Sequence, residues 1–185
     1  MNRIRQTRGE GDGGQTLVEF ALVLPIFITL LMGVVEFGFM YNNILTVQFA
    51  ARQGVSVAAE VGGEDGSDCA ILKAVELALQ TPINHSDVQA VEIFESDANG
   101  DRISGKYNRY VRTGTLDCPG TGTDQPYTLS GSEGYPQTSR GDSLAEGLDL
   151  IGVKIDFTYH GLTPIGAGRT WGVSDGATLR IEPKQ

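Results

Sequence analysis

Residues 17–41 read LVEFALVLPIFITLLMGVVEFGFMY, with Glu19 and Glu36 as the only charged residues, one near each end. At about 1.5 Å of rise per helical residue, roughly 20 apolar residues cover a hydrocarbon layer of about 30 Å. The stretch is long enough to cross a bilayer. A buried helix of a soluble protein fits less well, because such helices seldom run this far without a charge at their centre. A single transmembrane helix is therefore expected, and the rest of the chain is organised around it. At 185 residues there is room for that anchor and one modest domain.

Arg3, Arg5 and Arg8 precede the span, and no basic residue follows it until Arg52. Basic flanks stay on the cytoplasmic side during insertion. This predicts a single-pass protein of the inner or plasma membrane, N-terminus in the cytoplasm and body outside. Phe37, Phe39 and Tyr41 cluster where the helix leaves the lipid. A removable secretory signal has a shorter apolar run and a small-x-small site followed by polar sequence, so the helix is expected to be retained. The net charge of -9 resides mainly in the body, which would repel phosphate backbones; nucleic acid is not expected as a partner. Cys69 and Cys118 both lie beyond the span. An oxidising compartment lets such thiols pair, and a structural disulfide is expected, with two separate buried thiols as the alternative.

Glu19 needs its own account, since an ionised carboxylate inside an apolar helix is costly unless it reaches the headgroups or a positive partner. On physics alone it sits at the inner interface, near the positive end of the helix dipole, which stabilises it by a few tenths to about 1 kcal/mol. The run Gly14-Gln15-Thr16-Leu17-Val18-Glu19-Phe20 behind a short basic leader resembles the processing site of type IV prepilins. That resemblance implies cleavage after Gly14 by a membrane aspartyl prepilin peptidase, with Gln15 as the new first residue and Glu19 fifth. The new amine would then pair with Glu19 of a neighbouring subunit, with Phe20 beside it as an assembly contact.

A closer likeness covers more of the chain. Residues 14–38, GQTLVEFALVLPIFITLLMGVVEFG, with Pro25 and the Glu36-Phe37-Gly38 exit, and then Ala50-Ala51-Arg52-Gln53-Gly54, are similar to TadE-like proteins, the minor pilins or pseudopilins of tight-adherence pilus systems. Residues 153–159 and the tail ATLRIEP at 177–183 resemble that family's closing strand and Arg-x-Glu-Pro end. The resemblance implies a structural role in pilus assembly and surface adhesion, with other pilins and membrane lipid as partners.

Beyond the span, Ile44, Leu45, Val47, Phe49, Val55 and Val57 continue an amphipathic pattern to about residue 60. A helix over 15–60 would be about 69 Å long, half of it outside the lipid. Gly62, Gly63, Asp65 and Gly66 end it. Ala70, Ile71, Ala74, Val75, Leu77 and Ala78 predict a second helix over 67–80, stopped by Pro82. Residues 88–94 alternate as a strand, Asn99-Gly100 signals a hairpin turn, and 103–111 returns as its partner. Asp97, Asn99 and Asp101 have calcium-loop spacing, but Arg102 stands where an EF-hand needs glycine and Asn108 where it needs a bidentate Glu. A hairpin turn is expected there. Residues 114–147, rich in Gly, Thr, Ser, Asp and Pro, read as a long exposed loop. In 150–160, Ile151, Val153, Ile155, Phe157 and Tyr159 alternate as the candidate central strand, with 162–165 and 178–181 as edge material and Trp171 as a loop anchor.

The expected fold class is α+β: a basic leader over 1–14, a transmembrane helix with an amphipathic extension over 15–60, and a small extracytoplasmic domain over 61–185 with a second helix and an antiparallel sheet. Catalysis needs convergent reactive groups. His85 and His160 have no metal-ligand spacing, and neither a nucleophile elbow nor a phosphate-cradling glycine loop occurs. A non-enzymatic structural protein without a cofactor is expected. The alternative is a membrane-anchored extracytoplasmic binding module that never enters a filament.

Overall fold

The structure is a computed structural model that describes residues 12–79, 83–118, 124–144, 147–164 and 166–183. Most of the basic leader, Pro82 and Ile165 lie outside the described residues. The fold is α+β: a long apolar N-terminal helix leads into a small domain with a second helix and an antiparallel sheet.

Helix α1, Asp12–Val61, contains 50 residues and so extends about 75 Å. Its two halves differ because their side chains do. From Leu17 to Phe39 large aliphatic and aromatic groups project on all sides, and no part of the most apolar window is buried in the protein. From Asn43 onward one stripe, Asn43, Val47, Ala50, Ala51, Val55 and Ala58, is buried, and the spacing is that of a single helix face. Gly54 lies on this stripe. A Cβ there would meet Val75 at 2.6 Å and Val153 at 3.2 Å, so its lack of a side chain lets the second helix and the sheet close on α1 together. That close packing offsets the roughly 1 kcal/mol a mid-helix glycine costs. The helix ends at Gly62, whose φ of 52 is the left-handed geometry of a C-terminal cap.

Helix α2, Ser67–Ala78, buries Cys69, Ile71, Leu72 and Val75, while Leu77 is exposed. The apolar face is thus narrower than the composition suggests. Five strands form an antiparallel sheet in the order β3-β2-β1-β6-β7: β1 is Val88–Ser96, β2 Arg102–Val111, β3 Thr128–Leu129, β6 Leu150–His160 and β7 Thr170–Arg180. Two short strands, β4 Asp142–Ser143 and β5 Gly147–Leu148, pair separately. Both helices cover one face of the sheet, against the row Ile151, Val153, Ile155, Phe157 and Tyr159, each 0–3% exposed. Each such side chain contributes about 1.5–3 kcal/mol on full burial.

Three sequence expectations are corrected. The middle strand is β1; β6 lies between it and β7. Trp171 is no loop anchor but part of β7, opposite Tyr159 with ring centroids 5.9 Å apart. The glycines at 172 and 176 hide this strand, which pairs with the whole of β6 from Leu150↔Arg180 to His160↔Thr170. Residues 114–147 are not simply exposed either: Tyr127, Tyr135 and Arg140 are buried there. Large aromatic area and fixed polar partners outweigh the polar composition around them. At the β1–β2 turn, Asp97 accepts backbone N–H groups from Asn99 and Asp101. These bonds hold its carboxyl below the usual range.

Candidate functional site

The predicted processing and assembly residues sit at the start of α1. Gly14 and Gln15 are helical, and among the described residues nothing beyond the helix's own backbone lies within 4 Å of where a Gly14 side chain would stand. Gln15 Nε2 donates to Glu19 Oε1 at 3.1 Å, one turn away on an exposed surface. Phe20 is 63% exposed beside them. The helix brings Gln15 and Glu19 together, while none of the described residues of the domain is hydrogen-bonded to either.

Glu36, at the other end of the apolar stretch, has the opposite surroundings. Tyr159 Oη donates to Glu36 Oε1 at 2.7 Å, and the backbone N–H groups of Leu162 and Thr163 donate to Oε1 and Oε2 at 3.1 and 2.7 Å. Burial and this carboxylate together push the Tyr159 phenol up to about 12. The β6–β7 loop can close because Gly166 presses on the acid: a Cβ there would lie 2.8 Å from Glu36 Cδ. Higher up, Gln48 Nε2 donates to Asp175 Oδ2 at 2.8 Å, and the Glu182 N–H donates to the Ala59 carbonyl at 2.8 Å. The sheet is therefore fastened to α1 at three heights.

Gly166→Val should force the loop off Glu36. The Leu162 and Thr163 amides should then exchange with deuterium at least about tenfold faster, since hydrogen bonds to a charged group contribute about 1.5–3 kcal/mol. Hydrogen exchange of the full-length chain reads this directly, and unchanged protection would refute the clamp. Sequence reading missed this role of Glu36, because the partners lie 123 to 127 positions away. The only signal was a second acid in an otherwise apolar run.

On the far side of the domain, Cys69 and Cys118 form a disulfide, with Cα atoms 5.7 Å apart. The preceding residue, Asp68, is buried and receives the Arg140 guanidinium, Asn108 Nδ2 at 2.9 Å and the Tyr110 hydroxyl. Burial and then the Asp68 charge push the Tyr110 phenol upward. Nearby, Glu76 is gripped by both terminal nitrogens of Arg112, by the Tyr127 hydroxyl and by His85 Nδ1 at 2.6 Å. Burial alone would raise its carboxyl, but these partners hold it below the usual range. His160 Nε2 stands 3.5 Å from Asp87. The two histidines therefore meet different acids and do not converge.

On the outer sheet face, Glu92 pairs with Arg102 and Arg109, and Arg109 also reaches Asp156. These groups link neighbouring strands. What the molecule presents is an uncovered apolar helix with an acid near its start, rigidly attached to a stapled domain. Compared with known proteins, residues 14–56 match the family model of TadE-like proteins. No curated protein and no solved structure matches the chain. The matched segment is the uncovered part of α1 and most of its buried stripe, from Asn43 to Val55.

Proposed function

We propose that this protein, TadE-like over residues 14–56 and hence associated with tight-adherence pili, is a minor pilin or pseudopilin-like structural component of such a pilus. In this reading it acts in assembly and surface adhesion and is not an enzyme. Its N-terminus lies in the cytoplasm, α1 crosses the inner or plasma membrane, and the domain lies outside.

The carrying observation is the unequal treatment of the two acids in the apolar stretch. Glu36 is taken up by the protein's own domain, whereas Glu19 meets only the Gln15 amide among the described residues. An acid left exposed on an apolar helix acquires value when a neighbour supplies a positive group in the membrane. Cleavage after Gly14 by a prepilin peptidase would create that group at Gln15. Lateral packing would then run through the uncovered faces, where Ala21 and Gly38 allow close helix approach.

Mass spectrometry of the native N-terminus should find Gln15 first. Glu19→Gln should reduce incorporation into sheared pilus fractions by at least about tenfold, the loss of roughly 1.4 kcal/mol or more of subunit docking, while membrane levels stay unchanged. An intact leader together with normal behaviour of Glu19→Gln would favour the second reading, a permanently anchored binding module. That reading draws on the same exposed span.

A further inference from the structure

We infer that the end of the β6–β7 hairpin, residues 161–164 and 166–171, is a foot that rests on the bilayer where α1 leaves it, and that it takes a phospholipid between its apolar wall and Arg169. The inference rests on the membrane-spanning reading of α1 and adds a second lipid contact made by the domain itself.

Depth is the first argument. Counting from Leu17, about 20 residues cover the hydrocarbon layer, which sets its far boundary near Glu36. The backbone of Leu162 and Thr163 is hydrogen-bonded to the Glu36 carboxylate, so the hairpin end stands at that same boundary. The clamp fixes its height against the helix.

Chemistry is the second argument. A cleft of about 320 Å³ opens between helix and hairpin, lined by Gly33, Phe37, Met40, Tyr159, Gly166 and Trp171 and by two charged residues, Arg169 and the Glu36 carboxylate that the hairpin already engages. Gly33 lies about one helical turn below Glu36, so the cleft begins inside the hydrocarbon zone, where a water-soluble ligand would not enter. Leu162 is 63% exposed and Phe37 74%, which continues the apolar surface of the span onto the domain. Arg169 is exposed, and its side chain makes no ion pair with any described residue. An apolar wall of acyl-chain character beside a cation without an ion pair among the described residues matches a phospholipid, with its phosphate at Arg169. Tryptophan is also enriched at membrane interfaces.

The chain has one tryptophan, so its fluorescence reports the foot without further labelling. Full-length protein is reconstituted into phosphatidylcholine and phosphatidylglycerol vesicles carrying lipids brominated either near the glycerol or near the chain end. The expected outcome is at least about twofold quenching of Trp171 by the shallow label, much less by the deep one, and weak quenching by aqueous iodide. Arg169→Glu should cut the shallow quenching about twofold. Carbonate extraction of the same vesicles separates the two failures. Release of the chain overturns both the span and the foot. Retention with Trp171 insensitive to either lipid label overturns the foot and leaves the span standing. Wild-type quenching that Arg169→Glu does not change overturns the role of the cation.

Discussion

Asp68→Ala should destabilise the domain by about 3–5 kcal/mol, the range for removing one partner of a buried ion pair. The side chains of Asp68 and Arg140 are 2% and 0% exposed. Without the carboxylate, the guanidinium keeps only neutral acceptors, Ser67 Oγ at 3.0 Å and the Tyr135 carbonyl at 3.2 Å. Among the described residues its Nε already has no partner. Asn108 and Tyr110 lose an acceptor as well, and each buried donor left unpaired costs about 1–3 kcal/mol more. Urea unfolding of the full chain in detergent, followed by near-ultraviolet circular dichroism, measures the loss. At this domain size the melting temperature should fall by more than ~10 °C.

Two further variants distinguish a buried charge from simple packing. Asp68→Asn keeps an oxygen for Tyr110 and should fall between wild type and alanine. The pair Asp68→Leu with Arg140→Met removes both charges and should recover most of the alanine loss, because an apolar pair of similar volume often replaces a buried ion pair at little cost. A change under about 1 kcal/mol for Asp68→Ala would show that water or rearrangement relieves the site.

The second large effect concerns the disulfide. Cys69 and Cys118 close a sequence separation of 49 residues, for which the chain-entropy argument gives roughly 4 kcal/mol. Replacing both by serine should lower stability by an amount of that order. Reductant acting on the wild type should reproduce it. Thiol titration of the native chain should find no free sulfhydryl until reductant is added. A full titre in the unreduced protein would remove the premise. The staple and the ion pair leave α2 from adjacent residues and hold Cys118 and Arg140 against it, so their losses should fall short of additive.

Much of the fold was legible because it follows local periodicities. An uninterrupted apolar run from Leu17, a stripe from Asn43 to Ala58 at helical spacing, and the alternation from Ile151 to Tyr159 each reflect one element's own environment. Strand β7 was legible only at its end, where 178–181 read as edge material, and its first part was not, for the opposite reason. Its glycines and small polar residues have low strand preference, and it is a strand because eleven consecutive partners on β6 make it one. The segment around Tyr127 and Tyr135 was misread as exposed, since composition averages over a loop while burial depends on where two aromatic rings and one arginine find partners.

The candidate site divides in the same way. Gly14, Gln15, Glu19 and Phe20 lie within one short helical stretch, and their spacing along the chain already sets their geometry. The clamp on Glu36, the knot around Asp68 and the cleft below Trp171 join residues far apart in sequence. The chain alone thus determined an apolar helix with an acid at each end, a second helix and an alternating sheet, because these depend on the order of side chains over a few turns or strands. Only the tertiary structure decided which acid is consumed and which stays available. That choice depends on hydrogen-bond donors 123 to 127 residues away, and no local pattern encodes their arrival.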